Sequence, residues 1–287
     1  MTDPFGPVAA LDSPHIDALL RGKDLEDVAV LDRTEFLLKR LRGHVFRMPA
    51  PGEAVVFHLS GGIDSVTTAV LLMEGFGLVL YPLFLRRGHA RVHHEARSLE
   101  HYTALLAERY PRQFRPVFQP EVRIPPLELR PEIIGAAARR VRPDSEQRRG
   151  IPMFASLMGS YAVQYAYVLE QRGEASTRTI LCGAHETDGQ QMAHHTLTGL
   201  RVSTLNMIGQ TADHGWQYTS PWIERSMGRY HGKDELVRWA AAHDLDLSHT
   251  WSCYQKGRVH CGQCFGCLLR RNAFIGAGVT DPTEYAC

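Results

Sequence analysis

Apolar positions recur along this chain with two different periods. Ala54-Val55-Val56-Phe57-His58-Leu59 is short and rich in β-branched and aromatic residues, which predicts a buried strand, while Val66 to Met73 is long enough for a helix. Leu78 to Leu85 repeats the strand pattern, Glu95 to Tyr110 has the spacing of an amphipathic helix, and Arg115 to Phe118 predicts a third strand. Further along, Pro152 to Leu169 reads as a helix carrying Tyr161, Tyr165 and Tyr167, Thr179 to Ala184 as a strand, and Lys233 to Ala241 as a helix. Before all of these, Ile16 to Leu20 and Val28 to Leu41 are apolar, and Thr34 to Leu41 has helical spacing with a basic end. Thr204 to Gly209 and Thr219 to Ile223 fit neither period. Strands alternating with helices predict an α/β fold on a parallel sheet, whose ligands collect beyond the carboxyl ends of the strands.

The first strand and the helix after it are joined by Ser60-Gly61-Gly62-Ile63-Asp64-Ser65. Two glycines let the backbone turn sharply, and the free amides of the helix's first turn, with the positive end of its dipole, favour an anion. The stretch Leu59 to Ser65 is therefore the candidate phosphate cradle, with Asp64 and Ser65 as candidate catalytic residues. It is neither the Walker loop, which needs Gly-x-x-x-x-Gly-Lys, nor the dinucleotide fingerprint, which needs a third glycine.

A chain of 287 residues is long enough for one large α/β domain with a small appendage. Its charge is balanced, with 32 Lys and Arg against 31 Asp and Glu, which gives no reason to expect non-specific nucleic-acid binding. No basic segment followed by an apolar run opens the chain and no stretch reaches the length of a membrane span, so the expectation is a cytoplasmic protein without a membrane partner. The expected organisation is a helical extension over residues 1–50 with a structural or partner-contact role, a nucleotide-binding catalytic unit over 51–245, and a metal-stapled segment over 246–287.

Arg86, Arg87 and His89 follow the second strand and so fall on the ligand side, with Arg87 the candidate phosphate contact. Arg139, Arg140, Arg142, Arg148 and Arg149 form the most basic stretch, read as a solvated loop, with a lid that closes over an anionic substrate or contacts RNA as the sharper alternative. After the Thr179–Ala184 run, Gly183 allows close backbone approach to a ligand, and Asp188 is a candidate for magnesium or a substrate amine. Cys182 is read as a small core residue, a sulfur-carrying nucleophile being the alternative. His185, His194 and His195 lack a carboxylate at familiar ligand spacing and are not read as a second metal site.

Cysteines change the picture at the other end. Cys253, Cys261, Cys264 and Cys267 are separated by eight, three and three positions, with Gly257, Gly262 and Gly266 between or beside them to allow tight knuckles. This spacing predicts a closed tetrahedral structural zinc site and fits ferredoxin-type iron–sulfur runs poorly. His260 is then a bystander, and Cys287 a free thiol.

The Ser60–Ser65 turn resembles the signature of the ATP pyrophosphatase (PP-loop) superfamily. Leu247 to Tyr254, Cys261 to Arg271 and Ala277 to Thr283 resemble the 7-cyano-7-deazaguanine synthase (QueC) family. The resemblance implies a Rossmann-like fold of the adenine nucleotide alpha hydrolase type, four-cysteine zinc, ATP with magnesium (Mg2+, Zn2+), and a homodimer. It implies that 7-carboxy-7-deazaguanine is adenylated and that ammonia displaces AMP to give an amide and then a nitrile. Ser60, Gly61, Gly62, Asp64 and Ser65 match the family's loop positions. The middle departs from it: Arg86-Arg87-Gly88-His89, Pro152-Met153-Phe154-Ala155 and Gly189 to Thr196 replace the family's segments. The leading expectation is thus a carbon–nitrogen ligase acting on a deazaguanine-type acid, with ammonia or, as in specialised antiphage relatives, a protein amine as acceptor. The alternatives are a tRNA-modifying enzyme and a non-catalytic nucleotide-binding module.

Overall fold

The computed structural model describes residues 3–87, 92–129, 133, 151–189, 192–255 and 257–286. Four strands, β1 (Ala54–His58), β2 (Val79–Leu83), β3 (Thr179–Leu181) and β4 (Gln217–Thr219), form one sheet in the order β2-β1-β3-β4. All pairings are parallel, with Val56 opposite both Tyr81 and Ile180, and Ile180 opposite Tyr218. Nine helices surround it among the described residues: α1 (Ser13–Arg21), α2 (Val28–Arg42), α3 (Ile63–Val70), α4 (Val92–Arg109), α5 (Phe154–Gln171), α6 (Glu186–Gly189), α7 (Leu197–Thr211), α8 (Lys233–Ala242) and α9 (Phe265–Ala277).

The expected third strand at Arg115–Phe118 is replaced by isolated parallel bridges that pair Phe114 with Leu80 and Phe118 with Leu83. Arg115 N donates to Leu80 O at 3.0 Å and Phe118 N to Pro82 O at 2.9 Å. Pro82 of β2 and Pro120 have no N–H to give between these bonds, so the ladder beside β2 stays interrupted. The unplaced segments resolve as parts of α7 and β4 followed by a short helical turn at Pro221–Ile223.

Central parallel strands are apolar on both faces because helices cover both, and successive residues point to opposite sides. Val55 and Phe57 enter one core with α3, α8 and α9; Val56, Tyr81, Ile180 and Tyr218 enter the other with α1, α2, α5 and α7. The chain moves from β1 outward to β2, then returns to place β3 on the other side of β1. That reversal opens a crevice at the carboxyl ends of β1 and β3, the position at which open α/β sheets bind ligands.

Residues 1–50 are built into both cores wherever they are described. Phe5 packs edge-on against Trp222, with centroids 5.4 Å apart. Glu26 accepts from the backbone N–H of Leu197 and Thr198 at 2.7 and 2.9 Å and so caps α7. Arg201, on α7 and 2% exposed, is held by Glu35 of α2 at 2.9 Å and by the fully buried Glu224 at 2.6 Å. Thr219 and Ser226 hydroxyls complete the Glu224 carboxylate at 2.7 and 2.6 Å.

Burial pushes the Glu224 carboxyl up, but Arg201 and those two hydroxyls hold it below its ordinary value of 4.5. The stability it contributes is therefore present above that value and is lost as pH falls through the depressed folded value. Glu224→Ala would take from the buried Arg201 its fully buried partner, leaving Glu35 as its carboxylate contact. Urea denaturation at neutral pH is expected to show a loss of about 3–5 kcal/mol. Asp213→Ala, which breaks a half-exposed pair with Arg178, should cost under about 1 kcal/mol; similar losses for the two would remove the cluster's special role.

Candidate active site and metal centre

The turn Ser60–Ser65 lies at the mouth of that crevice. Leu59 N donates to Leu83 O at 3.1 Å and Ile63 is buried in the core, so the turn is anchored at both ends. Gly61 has φ +77°, and a Cβ there would lie 2.7 Å from Leu99 N of α4. Ser98 Oγ of the same helix donates to Gly61 O. Within the turn, Ser65 Oγ accepts from Ser60 N at 3.0 Å and donates to Gly62 O at 3.2 Å. The N-cap of α3 is Gly62, which has no side chain to satisfy the first-turn amides, leaving them for an incoming anion.

Gly183 has its role at the sheet end of the same helix. A Cβ on it would meet the carbonyl carbon and oxygen of Asp64, each at 2.7 Å. The missing side chain thus lets the end of β3 press against the first turn of α3.

The Asp64 carboxylate is gripped by Lys233 Nζ at 2.7 and 2.8 Å, and His185 Nε2 lies 3.4 Å from it. Asp188 sits 3.6 Å from the same His185 nitrogen and 3.5 Å from His195 Nδ1. His185 Nδ1 accepts from Asp188 N at 3.3 Å, which in the neutral ring leaves Nε2–H facing both carboxylates. Burial would raise both acids, yet Lys233 and His185 hold Asp64, and His185 and His195 hold Asp188, below the ordinary carboxylate range. Asp64 is thus ion-paired with Lys233, while Asp188 faces the two imidazoles of His185 and His195, a poor fit to the magnesium expected at Asp188.

Asp64, Asp188 and His195 rim a cavity of about 220 Å³ that also takes in Arg87, His58 and Cys182. The Arg87 guanidinium lies 4.8 Å from the Phe154 ring centre. Cys182 is enclosed, its Sγ directed at Thr219 O at 3.7 Å, and burial pushes its thiol up to about 12. That environment suits a core residue and not a thiolate nucleophile. His89, the Arg139–Arg149 cluster, Gln190, Gln191 and Cys287 lie outside the described residues.

Lys233 was hidden from the sequence. It reads there as the polar start of a helix, and nothing local announces that α8 aims it at Asp64 of the neighbouring α3. His58 did leave a trace, as a polar residue in an otherwise apolar strand.

The four cysteines converge as their spacing predicts. All four Sγ atoms lie within 4.8 Å of one another, and they are the group of possible metal ligands found among the described residues. Three separations are 3.5, 3.9 and 3.9 Å, against about 3.8 Å for the edge of a tetrahedron built on zinc–sulfur bonds of about 2.3 Å. Backbone N–H groups of Tyr254, Gln255, Cys261 and Cys264 point at the sulfurs at 3.2–3.4 Å, which disperses thiolate charge. Burial would raise the Cys261 thiol, but the amides of Gln263 and Cys264 bring it down to about 7. The donors therefore fit one metal ion held entirely by protein. His260 instead accepts from Ser252 N at 3.1 Å and packs on Trp251. The fully buried Arg270 of α9 ties this segment together through Thr250 Oγ1 at 2.6 Å and Asp281 at 3.1 Å.

Elemental analysis of the purified protein is expected to find about one zinc per chain. Cys264→Ser should lose that metal and lower the melting temperature; a variant that kept its metal or melted unchanged would contradict the staple.

Residues 136–278 match the family described as "Queuosine biosynthesis protein QueC". A 7-cyano-7-deazaguanine synthase from Ruegeria sp. (strain TM1040) is 46% identical over 67 residues, 23% of this chain and 26% of that protein. Its counterpart from Rhizobium meliloti (strain 1021) is 53% identical over 53 residues, 18% of this chain and 22% of that protein. The matched segments thus span about a quarter of the length of these curated relatives. Among solved structures, the U34-tRNA thiolase NcsA from Methanococcus maripaludis is 12% identical, with a TM-score of 0.37 over 86% of this chain and 73% of that one. The family match covers just under half of this chain and begins after the glycine turn, so residues 136–278 are similar to the QueC family.

Proposed function

We propose that the protein is an ATP-dependent carbon–nitrogen ligase that adenylates a carboxylic acid, 7-carboxy-7-deazaguanine. The observation that carries this reading is the Ser60–Ser65 turn: an uncapped helix start at the sheet's switch point, opening on the cavity that Arg87 lines. A carboxylate is a poor acyl donor because oxide is a poor leaving group, and adenylation replaces oxide with AMP.

In the first step a carboxylate oxygen bonds to the α-phosphorus while the bond to the bridging oxygen of the β-phosphate breaks. Pyrophosphate leaves with its electron pair, met by the first-turn amides of α3 and the Ser60 and Ser65 hydroxyls. Arg87 adds positive charge from the opposite wall. In the second step a nitrogen nucleophile, ammonia or a protein amine, attacks the acyl carbon and AMP departs. Asp188, held ionised by His185 and His195, is placed to receive the proton that nitrogen gives up. Asp64 orients the turn through Lys233. Cys253, Cys261, Cys264 and Cys267 hold zinc away from these steps.

With magnesium, ATP and 7-carboxy-7-deazaguanine, AMP and pyrophosphate are expected in equal amounts and dependent on the acid, with a nitrogen-containing product once ammonium is added. Ser65→Ala should lower AMP formation by about a hundredfold. ADP in place of AMP, or AMP formed at the same rate without acid, would sink the reading.

Lys233→Met leaves the Asp64 carboxylate with burial opposed by His185 alone, so its pKa climbs. The acid limb of the pH–rate profile is then expected at higher pH than in the wild type. An unshifted limb with reduced rate would mean that Lys233 does not act through Asp64.

A further inference from the structure

One buried group in the cavity is used by none of these steps. His58 ends β1, the strand that runs into the glycine turn, and neither of its ring nitrogens has a hydrogen-bond partner. Leaving a buried polar group unmade is costly, and a leucine in that row of the sheet would avoid the cost. Register places Leu83 beside it on β2, the Tyr218 ring lies 5.6 Å away, edge-on, and His195 lines the same cavity. Burial depresses its pKa to about 3, so the ring is neutral at working pH, with one donor nitrogen and one acceptor. An imidazole in that state is a reader of hydrogen bonds and not a proton carrier.

The space it faces is a slot. The sheet forms one wall with Leu83, His58, Cys182 and Tyr218, and Phe154 and Met158 from the start of α5 form the other. A gap between a sheet and a helix admits a flat ring. The phosphate-binding turn rims one mouth, and the Asp188–His195 pair rims it on the side where the incoming nitrogen arrives. A carboxylate reacting between those two sites would carry its ring inward, toward His58.

Resting on the ligase reading, we propose that His58 is the specificity-determining residue for the acid: its imidazole hydrogen bonds the polar edge of a flat, uncharged heterocycle that fills the slot between the sheet and α5. The ligand class is a ring acid with hydrogen-bonding atoms on the edge remote from its carboxylate. An aliphatic or purely aromatic acid would leave the imidazole unsatisfied and is rejected for that reason.

The test is calorimetric titration of full-length wild type and His58→Leu with 7-carboxy-7-deazaguanine in the presence of α,β-methylene ATP, alongside steady-state AMP release. His58→Leu is expected to bind the acid about tenfold to a hundredfold more weakly and to raise its KM to match. Affinity for the ATP analogue should stay the same, and kcat at saturating acid should stay within about threefold. Without ligands, His58→Leu should melt above the wild type, because hydrocarbon replaces an unpaired imidazole. His58→Gln, which keeps a donor and an acceptor, should recover part of the acid affinity and stands in if the leucine variant fails to fold. Unchanged acid affinity in both variants, weakened binding of the ATP analogue, or a wild type that does not bind the acid each overturns the proposal. Acid bound through His58 without AMP release would keep this inference and remove the ligase reading; AMP release indifferent to His58 would do the reverse.

Discussion

A carboxylate withdrawn from water must be met by positive charge, and the meeting of Asp64 with Lys233 organises this molecule. Asp64 belongs to the first turn of α3, Lys233 to the first residue of α8 and His185 to the segment after β3. Three elements far apart in the chain must therefore arrive at one point. Gly183 makes that arrival possible by leaving out the atom that would collide with Asp64. Lys233 then draws α8 over the core face lined by α3, where Leu236, Val237 and Trp239 are buried.

The opposite face uses the same device at greater depth. Arg201 spans two carboxylates from different elements, which fixes α2 and α7 in register with the loop after β4. Buried charges of this kind add little net stability over hydrocarbon, but they penalise any arrangement that separates them. The two clusters thus specify where helices sit, while the apolar faces of the strands supply the driving force.

Much of this was legible in the residues. The Ser60–Ser65 turn and the four cysteines announce themselves because backbone freedom and ligand number are local properties, readable from spacing alone. Strands β1 and β2 are legible for the related reason that burial on both faces leaves continuous apolar runs. Arg115–Phe118 misled because its β-like side chains say nothing about the prolines' missing N–H groups. Strand β4 and helix α7 were obscure because α7 buries Arg201 and Thr204 as well as leucines, which blurs its apolar stripe. Lys233 and Arg270 were invisible as anchors, since they meet Asp64 and Thr250, 169 and 20 residues away. His58 shows the intermediate case: its oddness is local, while its reason is the cavity it faces.

The first residues of the described chain close over its later part. Trp239 Nε1 donates to Pro4 O at 3.0 Å, Arg229 reaches Val8 O at 2.6 Å, and Phe5 is sealed between Phe76 and Trp222. A loop spanning 235 residues is among the most expensive to close in chain entropy, and its reward comes only after the elements between are in place. On the ribosome, residues 3–8 are made early yet have no complete docking site until Trp239 has left the exit tunnel. Residues 3–8 thus emerge long before their partners and are among the last to dock, sealing a core that the later elements have assembled.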